Sequence, residues 1–192
     1  MSVASTILRI LRFRPLPNAA PDVKKCVMVM APHTSIYDFI LGRLMVSHLR
    51  LKACIAIKRE FFVFPMGPIL KALGAVPVDR QHVRNVTAFA ADLLKKSDEM
   101  AYIICPEGTR KRVDRWKRGF YQIAVAAEVP ICLTHIDFRS RTLGVGGVFY
   151  PTGDYEKDIQ EIMKYYYGMH GIKKGCFNLE EKPYTHTEWL KK

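Results

Sequence analysis

Five short apolar runs punctuate this chain, and a stretch with helical spacing or a turn follows each of them. The runs are Lys25–Ala31 (KCVMVMA), residues 52–57 (KACIAI), Ala75–Val78, residues 102–105 and residues 130–136. Each is short enough to be a buried strand, and a run without alternation has to be covered on both faces. A helix is expected from just after Ser35 to about residue 49, with Phe39, Ile40, Leu44 and His48 spaced for packing. Residues 61–73 read as a turn and short helix stopped by Gly74, and 83–96 as a helix with Val86, Phe89, Leu93 and Leu94 on its apolar side. Gly119–Ala127 continues the pattern, and 154–167 forms a last helix with Asp154 as its cap. Gly144, Gly146 and Gly147 read as a turn between further strands ending near Tyr150. Alternation of this kind predicts an α/β fold: a single layered domain with a mainly parallel central sheet flanked by helices.

The N-terminus adds a short amphipathic helix. Ile7, Leu8, Ile10, Leu11 and Phe13 are interleaved with Arg9, Arg12 and Arg14, which suits either a membrane-interface anchor or a helix packed on the domain. Residues 15–21 hold three prolines and read as a linker. The expected organisation is therefore residues 1–24 as amphipathic segment and linker, and 25–192 as one domain.

Charge narrows the partners. Thirty Lys and Arg face eighteen Asp and Glu, a net +12, which favours anionic lipid headgroups, phosphorylated substrates or nucleic acid. No nucleic-acid-binding motif accompanies the charge, so a basic nucleic-acid-binding module is kept only as a rival. The five cysteines are odd in number, scattered and free of CxxC spacing, and nothing pairs them with His in a zinc pattern. Reduced buried thiols in a cytoplasmic protein account for them, with no metal. No stretch reaches the roughly 18 apolar residues of a spanning helix, so the expectation is a protein that is soluble or sits on a membrane without crossing it.

Four segments can carry chemistry. In His33-Thr-Ser-Ile-Tyr-Asp38, a His follows a buried strand and an Asp falls in the first turn of the next helix. Such an Asp can fix the imidazole tautomer and leave the second nitrogen to take a proton from a hydroxyl. The same spacing fits a capping box from Ser35 to Asp38. Ser35 is a weaker candidate as a nucleophile. In Cys105-Pro-Glu-Gly-Thr-Arg110, Gly108 permits a tight turn beside a ligand, Thr109 offers a hydroxyl and Arg110 can fork onto a phosphate; Glu107 and Arg110 can equally pair with each other. Cys105 itself is a minor candidate as a nucleophile. Arg80, in Gly74–Arg80, emerges just after a strand as a phosphate-binding cation can. Val129-Pro130-Ile131 opens another strand. Asp114, His135 and Asp137 form a further candidate acid–base cluster.

In this order and spacing the four segments resemble the glycerolipid acyltransferase family, which includes lysophosphatidic acid acyltransferases. Lys58-Arg-Glu-Phe-Phe-Val-Phe-Pro-Met-Gly67 is similar to the family's stretch between its first two blocks, and the resemblance spans roughly residues 25–137. It implies His33 as general base with Asp38 as its orienting partner. It also implies an acceptor-binding set of Glu107, Gly108, Thr109, Arg110 and Arg80, assisted by Lys58 or Arg59, with Val129–Ile131 on the acyl side. The implied donor is acyl-coenzyme A or an acyl carrier protein thioester, with no bound cofactor. The implied acceptor is a lysophospholipid, foremost 1-acylglycerol-3-phosphate, at an anionic membrane surface on the cytoplasmic side. Three departures stand out: Cys105 replaces Phe, Pro32 precedes His33 where Asn is common, and the N-terminal region is short. The last leaves another lyso-lipid, such as a lyso-aminoacyl lipid, as an alternative acceptor.

Overall fold

The computed structural model describes residues 2–72, 74–78 and 86–191, and only the backbone at positions 56, 58, 61 and 78. Seven strands form one sheet: β1 (Arg14–Pro15), β2 (Lys25–Ala31), β3 (Ala53–Lys58), β4 (Ala75–Val78), β5 (Met100–Ile104), β6 (Ile131–Asp137) and β7 (Thr142–Phe149). Their spatial order is β1-β7-β6-β2-β5-β3-β4. Strands β6, β2, β5, β3 and β4 run parallel, and β7 returns antiparallel beside β6. The fold is the α/β sheet that the alternation of runs predicts.

Central β2 explains why its sequence lacks alternation. It pairs with β5 on one side and β6 on the other, and Cys26 to Ala31 are all buried. Helices α1 (Val3–Ile10) and α2 (Tyr37–His48) cover one face through Leu8, Leu41, Met45 and Val46, which meet Met28, Met30 and Ile136. Helices α4 (Val86–Lys96), α5 (Gly119–Ala127) and α6 (Tyr155–Tyr165) cover the other, where Ala90, Leu94, Phe120, Ala124 and Ile162 meet Val27, Val29 and Ile131. Helix α3 (Met66–Ala72) connects β3 to β4. Asp154 caps α6, accepting the Lys157 amide at 3.2 Å.

Three segments differ from the sequence reading. The stretch 142–149 is one continuous strand rather than a turn between strands. Its glycines are there for close approach: a Cβ at Gly144 would meet Leu16 at 3.0 Å, and one at Gly146 would collide with the Tyr165 ring. Residues 14–15, of which Pro15 opens the expected linker, pair with β7 at the sheet edge. Pro15 is tolerated because an edge strand has one side with no ladder to complete. The region 1–24 also buries Leu8, Phe13 and Ala20 in the core. Finally, the chain beyond α6 folds back, burying Met169, Phe177 and Leu179 against Trp116 and Tyr166. All five cysteines are unpaired.

Candidate active site

Parallel strands gather their following loops at one end of the sheet, so the segments after β2, β5 and β3 become neighbours. Pro32, joined to Ala31 by a cis peptide, ends β2, and His33 follows at the start of the turn into α2. Asp38 lies in the first turn of that helix and is buried. Its Oδ2 atom sits 3.3 Å from His33 Nδ1. The same oxygen accepts the backbone N–H of Thr34 at 2.7 Å and of Ser35 at 2.8 Å. The capping and pairing readings of Asp38 are thus realised by one atom. The helix start fixes the carboxylate, and the carboxylate fixes the ring.

His33 is 23% exposed and opens onto a cleft of about 710 Å³. Burial on its own lowers the imidazole pKa, but the Asp38 hydrogen bond and charge, together with neighbouring Cys105, reverse this and push it up to about 10. Burial raises the Cys105 thiol.

The second wall of the cleft is the loop after β5. Glu107 is buried, and its Oε1 accepts the His33 backbone N–H at 2.9 Å, which ties this loop to the turn after β2. Glu107 therefore supports the loop from behind instead of lining the cleft. Burial pushes its carboxyl up to about 7, against the lowering effect of its backbone hydrogen bonds. Gly108 has φ +65, the left-handed backbone that glycine adopts without strain. Gly108, Thr109 and Arg110 line the cleft with His33. No Glu107–Arg110 pair forms among the described residues.

Four backbone amides near the imidazole are already committed. His33 N–H goes to Glu107, those of Thr34 and Ser35 go to Asp38, and Gly108 N–H goes to the Cys105 carbonyl at 3.1 Å. The amides of Thr109 and Arg110 have no hydrogen-bond partner among the described residues. Ser35 is buried and its Oγ accepts the Tyr37 amide, a capping role that leaves it unsuited to nucleophilic attack.

The remaining expected site residues divide. Arg80 and the Lys58 side chain lie outside the described residues. Arg59 opens the 3-10 turn Arg59–Phe61 after β3, exposed, and is not among the described residues lining the cleft. Val129 and Ile131, expected on the acyl side, are sealed in the core between α5 and the sheet. The apolar wall instead comes from Ile55, Tyr102, Ile104, Phe120 and Ile123. His135 and Asp137 are fully buried away from the cleft. Burial lowers the His135 pKa to about 3, and the neutral ring bonds Tyr165 Oη at 2.6 Å and Thr142 Oγ1 at 3.2 Å. Asp137 takes the amides of Arg139, Ser140 and His170 and the Tyr184 hydroxyl, so it organises loops.

Two contributors were not anticipated. Lys117 lines the cleft beside Gly108, and its only sequence signal is a cation at the junction of a polar loop and a helix. The returning C-terminal segment braces the turn that carries His33, with the Lys173 amide donating to Thr34 Oγ1 at 3.3 Å and Gly171 packed on the Thr34 side chain.

These features have a counterpart among known proteins. The chain resembles the crystal structure of the 1-acyl-sn-glycerophosphate acyltransferase PlsC from Thermotoga maritima with a TM-score of 0.59 at 17% identity, covering 84% of this chain and 72% of that one. At that identity the likeness concerns the fold. The family model described as Acyltransferase matches residues 14–135, a span that takes in the paired His33 and Asp38 and the Glu107–Arg110 loop, and by this match the chain belongs to the acyltransferase family.

Proposed function

We propose that the protein moves a fatty acyl group from an acyl thioester, carried by coenzyme A or acyl carrier protein, to the free hydroxyl of a lysophospholipid. The acceptor favoured is 1-acylglycerol-3-phosphate, and the place is the cytoplasmic surface of an anionic membrane. The observation that carries this reading is the Asp38-held His33 opening onto the same cleft as Arg110. Support for the acceptor comes from the fold neighbour, itself a 1-acyl-sn-glycerophosphate acyltransferase.

The chemistry follows from the geometry. With Nδ1 facing Asp38, the other imidazole nitrogen is left for the acceptor hydroxyl. As the hydroxyl oxygen attacks the thioester carbonyl, its proton passes to His33 and a tetrahedral oxyanion forms. The uncommitted amides of Thr109 and Arg110 are available as donors to that oxygen. Collapse breaks the C–S bond, and the imidazolium returns the proton to the leaving thiolate. The thioester is already activated, so the reading calls for no metal and no bound organic cofactor. The apolar wall of Ile55, Tyr102, Ile104, Phe120 and Ile123 suits an acyl chain.

Membrane contact is part of the same reading. No helix among the described residues is long and apolar enough to cross a bilayer. Helix α1 instead packs Ala4 and Leu8 inward and leaves Val3, Ile7 and Ile10 exposed beside Arg9 and Arg12. The test is to incubate purified protein with labelled acyl-coenzyme A or acyl carrier protein thioester and a panel of lyso-lipids. New diacyl ester is expected from the native chain and none from His33→Ala; free fatty acid as the sole product would mean hydrolysis and end the proposal.

A further inference from the structure

Lys117 has no assigned part in the acyltransferase reading, yet it stands on the wall of the same cleft as His33 and Arg110. Its position is fixed from two sides. Its backbone N–H donates to the Pro106 carbonyl at 2.9 Å, closing the loop from 106 to 117 on itself. Its side chain then folds back across Gly108, where a Cβ would lie 2.7 Å from Lys117 Cε and 2.9 Å from both Cδ and Nζ. The absent side chain at Gly108 is therefore what lets the ammonium lie against this loop, on the wall it shares with His33 and Arg110. That loop is tied to His33 through Glu107, so the charge sits close to where the acceptor hydroxyl reacts. Among the described residues neither Lys117 nor Arg110 is paired with a carboxylate.

Two cations on the wall of one cleft, neither paired with a carboxylate among the described residues, exceed what a singly charged phosphate diester needs. A phosphate monoester carries about −1.5 to −2 at neutral pH and offers three strong acceptor oxygens. We infer that Lys117 is a second headgroup cation beside Arg110, and that the pair selects acceptors ending in a phosphate monoester over those whose phosphate is a diester. The inference rests on the lysophospholipid reading above and sharpens it. Arg110 supplies the forked contact, and Lys117 supplies the point charge that balances the second ionisation. The extra anionic oxygen of a monoester is the feature a diester lacks, so the gain from Lys117 falls on one acceptor class only.

The test compares the native chain, Lys117→Gln and Lys117→Arg on two lyso-lipids with the same acyl chain. One ends in a phosphate monoester, and the other carries glycerol on its phosphate. Lys117 is exposed, so the variants are expected to fold. The native chain should prefer the monoester. Lys117→Gln should raise its KM about tenfold, as expected for losing one charge-assisted contact, with kcat retained and the diester KM changed far less. Lys117→Arg should restore most of the preference. An equal change for both acceptors, or none for either, overturns the inference while leaving the acyltransferase reading intact. Absence of transfer by the native chain to any lyso-lipid overturns that reading and this inference together.

Discussion

Glu107 Oε1 accepts the backbone N–H of His33 at 2.9 Å, while its second oxygen, equally buried, has no partner in the described structure. A single carboxyl thus fastens the cationic loop to the catalytic turn and bears a desolvation cost for doing so. Its folded pKa is raised to about 7 by burial from an ordinary 4.5. The unfolded chain releases this proton first. The native state is therefore penalised increasingly as pH rises from about 4.5, and fully above about 7.

Glu107→Gln keeps an oxygen for the His33 amide and removes the charge. The variant's unfolding free energy relative to the native chain should climb by up to about 3 kcal/mol between pH 4.5 and pH 8. Urea titrations of both proteins at several pH values measure this directly. A difference that stays flat across that range would show that Glu107 does not carry the penalty.

The His33–Asp38 pair makes an opposite prediction for activity. A general base works only when unprotonated, and against the lowering effect of burial Asp38 and Cys105 together raise the pKa of His33 to about 10. The rate of acyl transfer should therefore rise about tenfold per pH unit from pH 6 toward pH 9 while the base remains mostly protonated. Asp38→Asn removes the anion, lowers the imidazole pKa and should shift this limb to lower pH. Its maximal rate should also fall, because the ring loses its tautomer constraint. An acid limb that stays put in Asp38→Asn would separate the carboxylate from the titration.

Much of this arrangement was legible before any coordinates. The run at 25–31 became a strand with the bounds its apolar residues imply, because a strand buried on both faces has to be apolar throughout, and the run at 75–78 kept its bounds as the edge strand, where Pro77 is exposed. His33 and Asp38 were legible as a pair because a strand-to-helix turn folds five residues back on themselves. The strand through Gly144, Gly146 and Gly147 was not legible, since the side chains that require glycine at 144 and 146, Leu16 and Tyr165, are not neighbours in sequence. Glu107 resembles any loop acid until burial and the His33 amide are seen. The segment after α6 has no periodicity of its own, and its order comes from docking on Trp116 and Tyr166.

That docking is itself testable. Phe177 is fully buried beside Trp116, and the chain around it leads directly from the residues that brace Thr34. Phe177→Ala should cost about 3–5 kcal/mol in denaturant unfolding, the usual range for emptying such a site. A loss below about 1 kcal/mol would mean that the C-terminal segment rests on the domain without contributing to its core.

The N-terminal helix presents two apolar faces, and only one is used by the fold. Ala4 and Leu8 pack inward, and Ser5 Oγ meets His48 Nδ1 at 3.0 Å across to α2. Val3 is 78% and Ile10 73% exposed, and Ile36, Tyr37 and Ile40 are also exposed at the start of α2, directly after the catalytic turn. Leaving these side chains in water brings no gain, whereas burying one in a bilayer interface is worth about 1.5–3 kcal/mol. Arg9, Arg12 and Arg14, exposed within and just after this helix, favour an anionic surface. Val3→Ser with Ile10→Ser should therefore weaken sedimentation with anionic vesicles by at least about tenfold while leaving the folded core intact. Raising the salt concentration should weaken the native chain's binding as well, because the arginine share is screened. Unchanged vesicle binding by the double variant would move the membrane contact elsewhere on the surface, with the exposed Val63 and Phe64 after β3 the next face to substitute.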